Sequence, residues 1–180
     1  MQKDITKPNE EIKSVVKQFS KNKFKAVIEV MLWIRKNFSI ERYDRELFRK
    51  RDTVELFKSK RLKGCSDVAI LYISFMRALG IKATYLETIS KETLEQYSKE
   101  FEEKIPITGH TFVRVNIDNM SFIVDPMYLQ ILLREKLPTD SMFVDSVLIG
   151  EGKDYIELGM NSVEKIREKT REYIMKKELK

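Results

Sequence analysis

Apolar and polar positions alternate with two different periods along this chain, helical in the first third and strand-like through the middle. Ile12, Val15, Val16 and Phe19 recur at helical spacing, and so do Phe24, Val27, Ile28, Met31 and Leu32. Helices are therefore expected over 10–19 and 22–36. The stretch 40–60 is so highly charged that its period is hidden; it reads as a short helix around Arg42–Arg49 and another near Thr53–Ser59. From Ser66 to Leu79 the pattern changes. Val68, Ala69, Ile70, Leu71, Tyr72, Ile73, Phe75 and Met76 cover nearly the whole circumference of a helix. A helix with no broad polar face belongs at the centre of a domain. Gly80 suits the left-handed residue that ends such a helix, and a strand over Ile81–Ile89 follows.

Residues 91–103 are rich in Glu and Lys and read as an exposed helix or a mobile excursion. Pro106 and Gly109 then lead into a strand that starts near His110. Asp118-Asn119 has the composition of a hairpin turn, with Met120–Pro126 returning. A two-residue loop pairs Ile117 with Met120, Arg114 with Ile123 and Phe112 with Asp125. One face of the ribbon then carries Val113, Val115, Ile117, Met120, Phe122 and Val124, all apolar. A slip by one residue would mix the faces, so burial selects this register. The opposite face holds His110, Phe112, Arg114, Asn116, Ser121, Ile123 and Asp125. His110 and Asp125 become diagonal neighbours, roughly 7–8 Å apart at the backbone, a gap that an imidazole and a carboxylate can bridge. A four-residue loop would keep them on one face but farther apart, and an odd loop would separate them.

A further strand is expected over Phe143–Ile149, then a loop at Gly150 and Gly152. The last helix should start on Asn161 as N-cap, with Glu164 in the capping-box position. The sum is one α+β domain over 1–180. It has a helical part (1–60), a core of one buried helix on an antiparallel sheet (61–130), and a strand with a C-terminal helix (131–180).

Composition narrows the chemistry. The 180 residues are 42% hydrophobic, with ten phenylalanines, which suits a globular fold. No run approaches the roughly 20 apolar residues that span a bilayer, and Met1-Gln2-Lys3-Asp4 lead into polar sequence, so a cytoplasmic protein is expected. The net charge of +6 arises from 34 basic and 28 acidic residues scattered along the chain. A nucleic-acid binder more often concentrates its charge into a stripe with interleaved aromatics, so this surface reads as solvated lysine and arginine. The single Cys excludes an internal disulfide and a multi-cysteine zinc site, and the single His argues against zinc or haem. No metal or cofactor is implied.

That one cysteine has a suggestive place. Gly64-Cys65-Ser66-Asp67 immediately precedes the buried helix. A thiol there meets the unpaired N–H groups of the first turn and the positive end of the helix dipole, both of which favour thiolate. Gly64 permits a tight turn and close approach, Ser66 can help cap, and Asp67 favours the helix start while slightly opposing the thiolate.

Taken together, the blocks resemble the transglutaminase-like superfamily, which shares a papain-like core. The first is Arg61-Leu-Lys-Gly-Cys65-Ser-Asp-Val-Ala69, continuing through Phe75-Met-Arg-Ala-Leu-Gly-Ile81. It is similar to the family's glycine-x-cysteine-x-aspartate-x-alanine helix. Gly109-His110-Thr-Phe-Val-Arg-Val115 is similar to its histidine strand, and Phe122-Ile-Val-Asp125-Pro126 to its aspartate-proline ending. The resemblance implies a Cys-His-Asp triad of Cys65, His110 and Asp125, with Gly64, Ser66 and Phe112 beside the reacting centre. Phe112 and Phe122 stand in regions where the family often has Trp, and Ser66 where eukaryotic transglutaminases often have an aromatic. The Cys65 N–H would supply one oxyanion donor; no Gln lies between Gln18 and Cys65 to supply another. The activity implied is thiol-dependent attack on the amide or peptide bond of a protein or peptide substrate, by hydrolysis or by acyl transfer to an amine. The alternative is a catalytically inactive relative that binds a protein or peptide in its cleft.

Overall fold

A computed structural model of the chain describes residues 4–99, 105–133 and 146–178. Its first third is helical because asparagine and aspartate caps meet amphipathic runs. Asn9 accepts the Ile12 N–H to start α1 (Glu10–Val15), which tightens into a 3₁₀ turn over Val16–Gln18. Asn22 starts α2 (Lys23–Asn37) in the same way, and Val27, Val30, Met31 and Ile34 line its buried side. After the short strand β1 (Ser39–Glu41), α3 (Thr53–Ser59) opens on a full capping box between Asp52 and Glu55. Strand β2 (Arg61–Lys63) pairs with β1 in parallel and runs directly into α4 (Cys65–Ala78). Eleven of the fourteen residues of α4 are buried, which is why α1, α2 and α3 all pack against it.

The other side of α4 rests on the sheet formed by β3 (Lys82–Ser90), β4 (Gly109–Ile117), β5 (Met120–Asp125), β6 (Gln130–Leu132) and β7 (Ser146–Gly152). Their order is β6-β5-β4-β3-β7, with every neighbouring pair antiparallel. The β4–β5 hairpin has the register that apolar segregation demands, with Ile117 opposite Met120 and Arg114 opposite Ile123. Asp118 takes a left-handed φ of 53° to make the turn. Val113, Val115, Ile117, Phe122 and Val124 enter the main core, whereas Met120, at the hairpin tip, is exposed. Leu86, Phe112 and Ile123 form a smaller apolar cluster of their own. Helix α5 (Lys91–Lys99) and helix α6 (Val163–Glu178) complete the mixed α+β fold.

Several local expectations need correction. Residues 42–49 form no helix: Asp44 caps a turn by accepting the Glu46 and Leu47 N–H groups, and Arg49 has φ 55°, which a continuing helix forbids. Stretch 91–103 is helical through Lys99 and buries Thr93 and Tyr97, while 100–104 lie outside the described residues. Of the strand expected at Phe143–Ile149, residues 143–145 are likewise outside them. Gly150 and Gly152 are not in a loop but in β7, where a Cβ on either would crowd the Leu158 side chain. Helix α6 begins one residue late, with Ser162 rather than Asn161 as its N-cap, because the Ser162 hydroxyl accepts the Lys165 N–H. No described helix is long and apolar enough to cross a membrane.

Candidate active site

Cys65 is the first residue of α4 and is partly exposed. Gly64 before it holds φ 91° and ψ −174°, a region essentially restricted to glycine. Having no side chain, Gly64 provides no cap, so no capping oxygen competes for the first-turn N–H groups beside the sulfur. The approach to that turn is fixed from behind. Asp67 accepts the Lys63 N–H at 2.8 Å and pairs with Arg51, tying β2 to the start of the helix. Ser66 does not cap; its hydroxyl faces Arg49, Tyr85 and Thr111 instead.

His110 is placed by β4. Gly109 lets the strand press close to β3, since a Cβ there would sit 2.2 Å from the Thr88 carbonyl oxygen. The Thr88 hydroxyl donates to the His110 carbonyl at 2.9 Å. Across the hairpin, His110 Nε2 lies 2.7 Å from Asp125 Oδ2. The second Asp125 oxygen accepts the N–H groups of Met127 (3.0 Å) and Tyr128 (3.1 Å), so the carboxylate is held from both sides. Phe112 meets the imidazole edge-on at a centroid distance of 4.8 Å, and Tyr128 lies at 5.5 Å. With Nε2 bound to the acid, Nδ1 is the ring atom left to face Cys65, whose ionisation the neighbouring imidazole favours.

The electrostatics follow from these contacts. Burial pushes the Cys65 thiol up, but the His110 hydrogen bond and charge outweigh it, and the thiol ends below its ordinary value. Burial likewise pulls His110 down, while its bonds to Asp125 and Cys65 raise it to about 10. Both shifts favour a thiolate–imidazolium pair. A cleft of about 970 Å³ opens over the pair, walled by Ile89, Pro106 and Ile107 on one side and by Val163, Ile166 and Arg167 on the other.

Sequence reasoning missed a buried polar group behind this pair. Arg49 and Glu87 form an ion pair at 2.5 Å, with only 5% and 4% of their surfaces exposed. The signal was present: Glu87 interrupts the apolar alternation of Ala83, Tyr85 and Ile89 on β3. Among the described residues no group of three or more His, Cys, Asp or Glu side chains could hold a metal ion.

The family model of the Transglutaminase-like superfamily matches residues 11–126. No curated protein matches the chain significantly. The fold is similar to the crystal structure of a candidate cysteine protease from Cytophaga hutchinsonii, with a TM-score of 0.59 and 20% identity. That likeness covers 87% of this chain and 48% of the other, so this chain spans about half its length.

Proposed function

This chain belongs to the transglutaminase-like superfamily, and from that membership we propose that it cleaves amide or peptide bonds through a thioester on Cys65. The observation that carries the reading is the 2.7 Å bond from His110 Nε2 to Asp125, which leaves Nδ1 to the thiol at the head of α4. His110 holds the proton of Cys65, and the thiolate attacks the carbonyl carbon of a peptide lying in the cleft. The developing oxyanion is stabilised by the N–H of Cys65, at the uncapped helix start. The imidazolium then gives its proton to the departing amine, leaving the acyl group on sulfur. A water deprotonated by His110 attacks the thioester and restores the thiol. A primary amine in place of water would yield acyl transfer instead. Asp125 fixes the ring tautomer and stabilises the imidazolium throughout.

The cleft of about 970 Å³ is large enough to take a short peptide segment. Hydrolysis is the favoured outcome, in keeping with the cysteine-protease description of the Cytophaga structure.

The shifted groups give the pH dependence its sign. The thiol loses its proton below its ordinary range, so the acid limb of kcat/KM lies at lower pH than for a free cysteine. The imidazolium persists to about 10, which places the basic limb there. Assay of the protein on a fluorogenic peptide library should give turnover with these limbs, and intact mass after acid quench should show an acyl adduct that Cys65→Ala lacks. Turnover that survives Cys65→Ala would refute the proposal. Added glycine methyl ester separates the two fates by product partition, because an acyl transferase yields mainly the amine-capped product and a hydrolase mainly the acid.

A further inference from the structure

The residues that follow the nucleophile and the base in sequence meet each other inside the protein. Ser66 Oγ and Thr111 Oγ1 are 3.4 Å apart. The Tyr85 hydroxyl lies 3.4 Å from the first and 3.2 Å from the second, and it donates to Glu87 Oε2 at 2.8 Å. Arg49 closes the set. Its Nη2 meets the same Glu87 oxygen at 2.5 Å, its Nε donates to Ser66 Oγ at 3.3 Å, and its Nη1 donates to the Met160 carbonyl. One connected group of hydrogen bonds thus joins the start of α4 to β4, one residue behind Cys65 and one behind His110.

A buried ion pair is weak evidence for stability, because apolar residues of similar volume often serve as well. This one has another consequence. Glu87 is near enough to Cys65 to oppose its thiolate, and Arg49 senses the charge of Cys65 in turn. Other charged groups also line the cleft around the sulfur, Arg45 from the 42–49 turn and Glu168 and Arg171 from α6 among them. His110 faces it from β4; on β2, Lys63 is engaged by Glu41 and Asp44; on α4, Asp67 is engaged by Arg51; and Glu164 and Arg167 lie across the cleft on α6.

We propose that Arg49 is a positioning residue for the thiolate: it neutralises Glu87 beside Cys65 and, through Ser66 and Thr111, clamps α4 to β4 at the spacing the sulfur and imidazole need. This inference rests on the triad reading above. It gives Glu87 a reason to occupy an otherwise apolar face, since its carboxylate neutralises the buried Arg49 guanidinium that donates to Ser66.

The test is the pH dependence of Cys65 alkylation by iodoacetamide, read by intact mass, in the wild type, Arg49→Met, Glu87→Gln and the Arg49→Met/Glu87→Leu double variant. Removing the arginine leaves a bare carboxylate by the thiol, so Arg49→Met should move the midpoint upward and slow alkylation about tenfold at a pH below it. Glu87→Gln leaves a bare guanidinium and should move the midpoint downward. The double variant should fall between them. A purely structural role would damage both single variants alike, so shifts in the same direction, or none, overturn the inference. Should Arg49→Met fail to fold, Glu87→Gln and the double variant decide by the same signs. A wild-type midpoint at the ordinary thiol value, about 8.5, would sink the triad reading itself, an outcome distinct from unshifted variants over a low wild-type midpoint.

Discussion

Replacing His110 with alanine is expected to lower kcat/KM on a peptide amide about ten-thousand-fold, the scale on which triads fail when one member is removed. The variant loses the proton acceptor for Cys65, the proton donor for the leaving amine and the opposite charge that holds the thiolate. Its thiol should therefore drift back towards the ordinary value of about 8.5 or above it, since burial alone pushes upward. The fold should survive. Asp125 keeps its bonds to the Met127 and Tyr128 N–H groups, and the ring sits at the cleft rather than in the main core. Initial rates and thermal melts on the same preparation separate the two effects, and a rate loss below tenfold would contradict the role given to the ring.

Gly109→Ala should be the most damaging small substitution near the site, costing about 3 kcal/mol of stability, at the upper end of overpacking penalties. The added methyl meets the Thr88 carbonyl oxygen at 2.2 Å, and that atom belongs to the backbone of β3, which cannot swing aside as a side chain can. Relief requires β4 to move away from β3 at Gly109, one residue before His110. Activity should fall with stability, because the imidazole moves off Cys65. Urea unfolding followed by fluorescence of the single Trp measures the cost. A change under about 0.5 kcal/mol, the size of an ordinary surface substitution, would mean that β4 does not press on the Thr88 carbonyl at Gly109.

The parts of this molecule that could be read from sequence are those where burial alone dictates the pattern. Val113, Val115, Ile117, Phe122 and Val124 admit one hairpin register if they are to share a face, and that register brings His110 to Asp125. Helix α4 was equally plain, since apolar residues on every side leave no alternative to the centre of the fold. The short pair β1 and β2 was not legible: Ser39–Glu41 and Arg61–Lys63 are three residues each, too few for an alternation, and their charges pair with one another across the ribbon through Glu41. Arg49 was lost for a similar reason. In a run of exposed charges nothing distinguishes an arginine that turns inward, and the left-handed backbone and Glu87 partner of Arg49 belong to tertiary structure. The N-cap of α6 was misplaced by one residue because Asn161 and Ser162 are both good caps, and only geometry chooses between them.

The chain contains one histidine, so a single imidazole signal can be followed by NMR across the pH range without assignment ambiguity. A ring shared between a carboxylate and a thiolate should stay protonated through neutral pH and release its proton only near 10. A ring that titrates near 6.5, as a free histidine does, would mean that the sulfur and the acid do not act on it together.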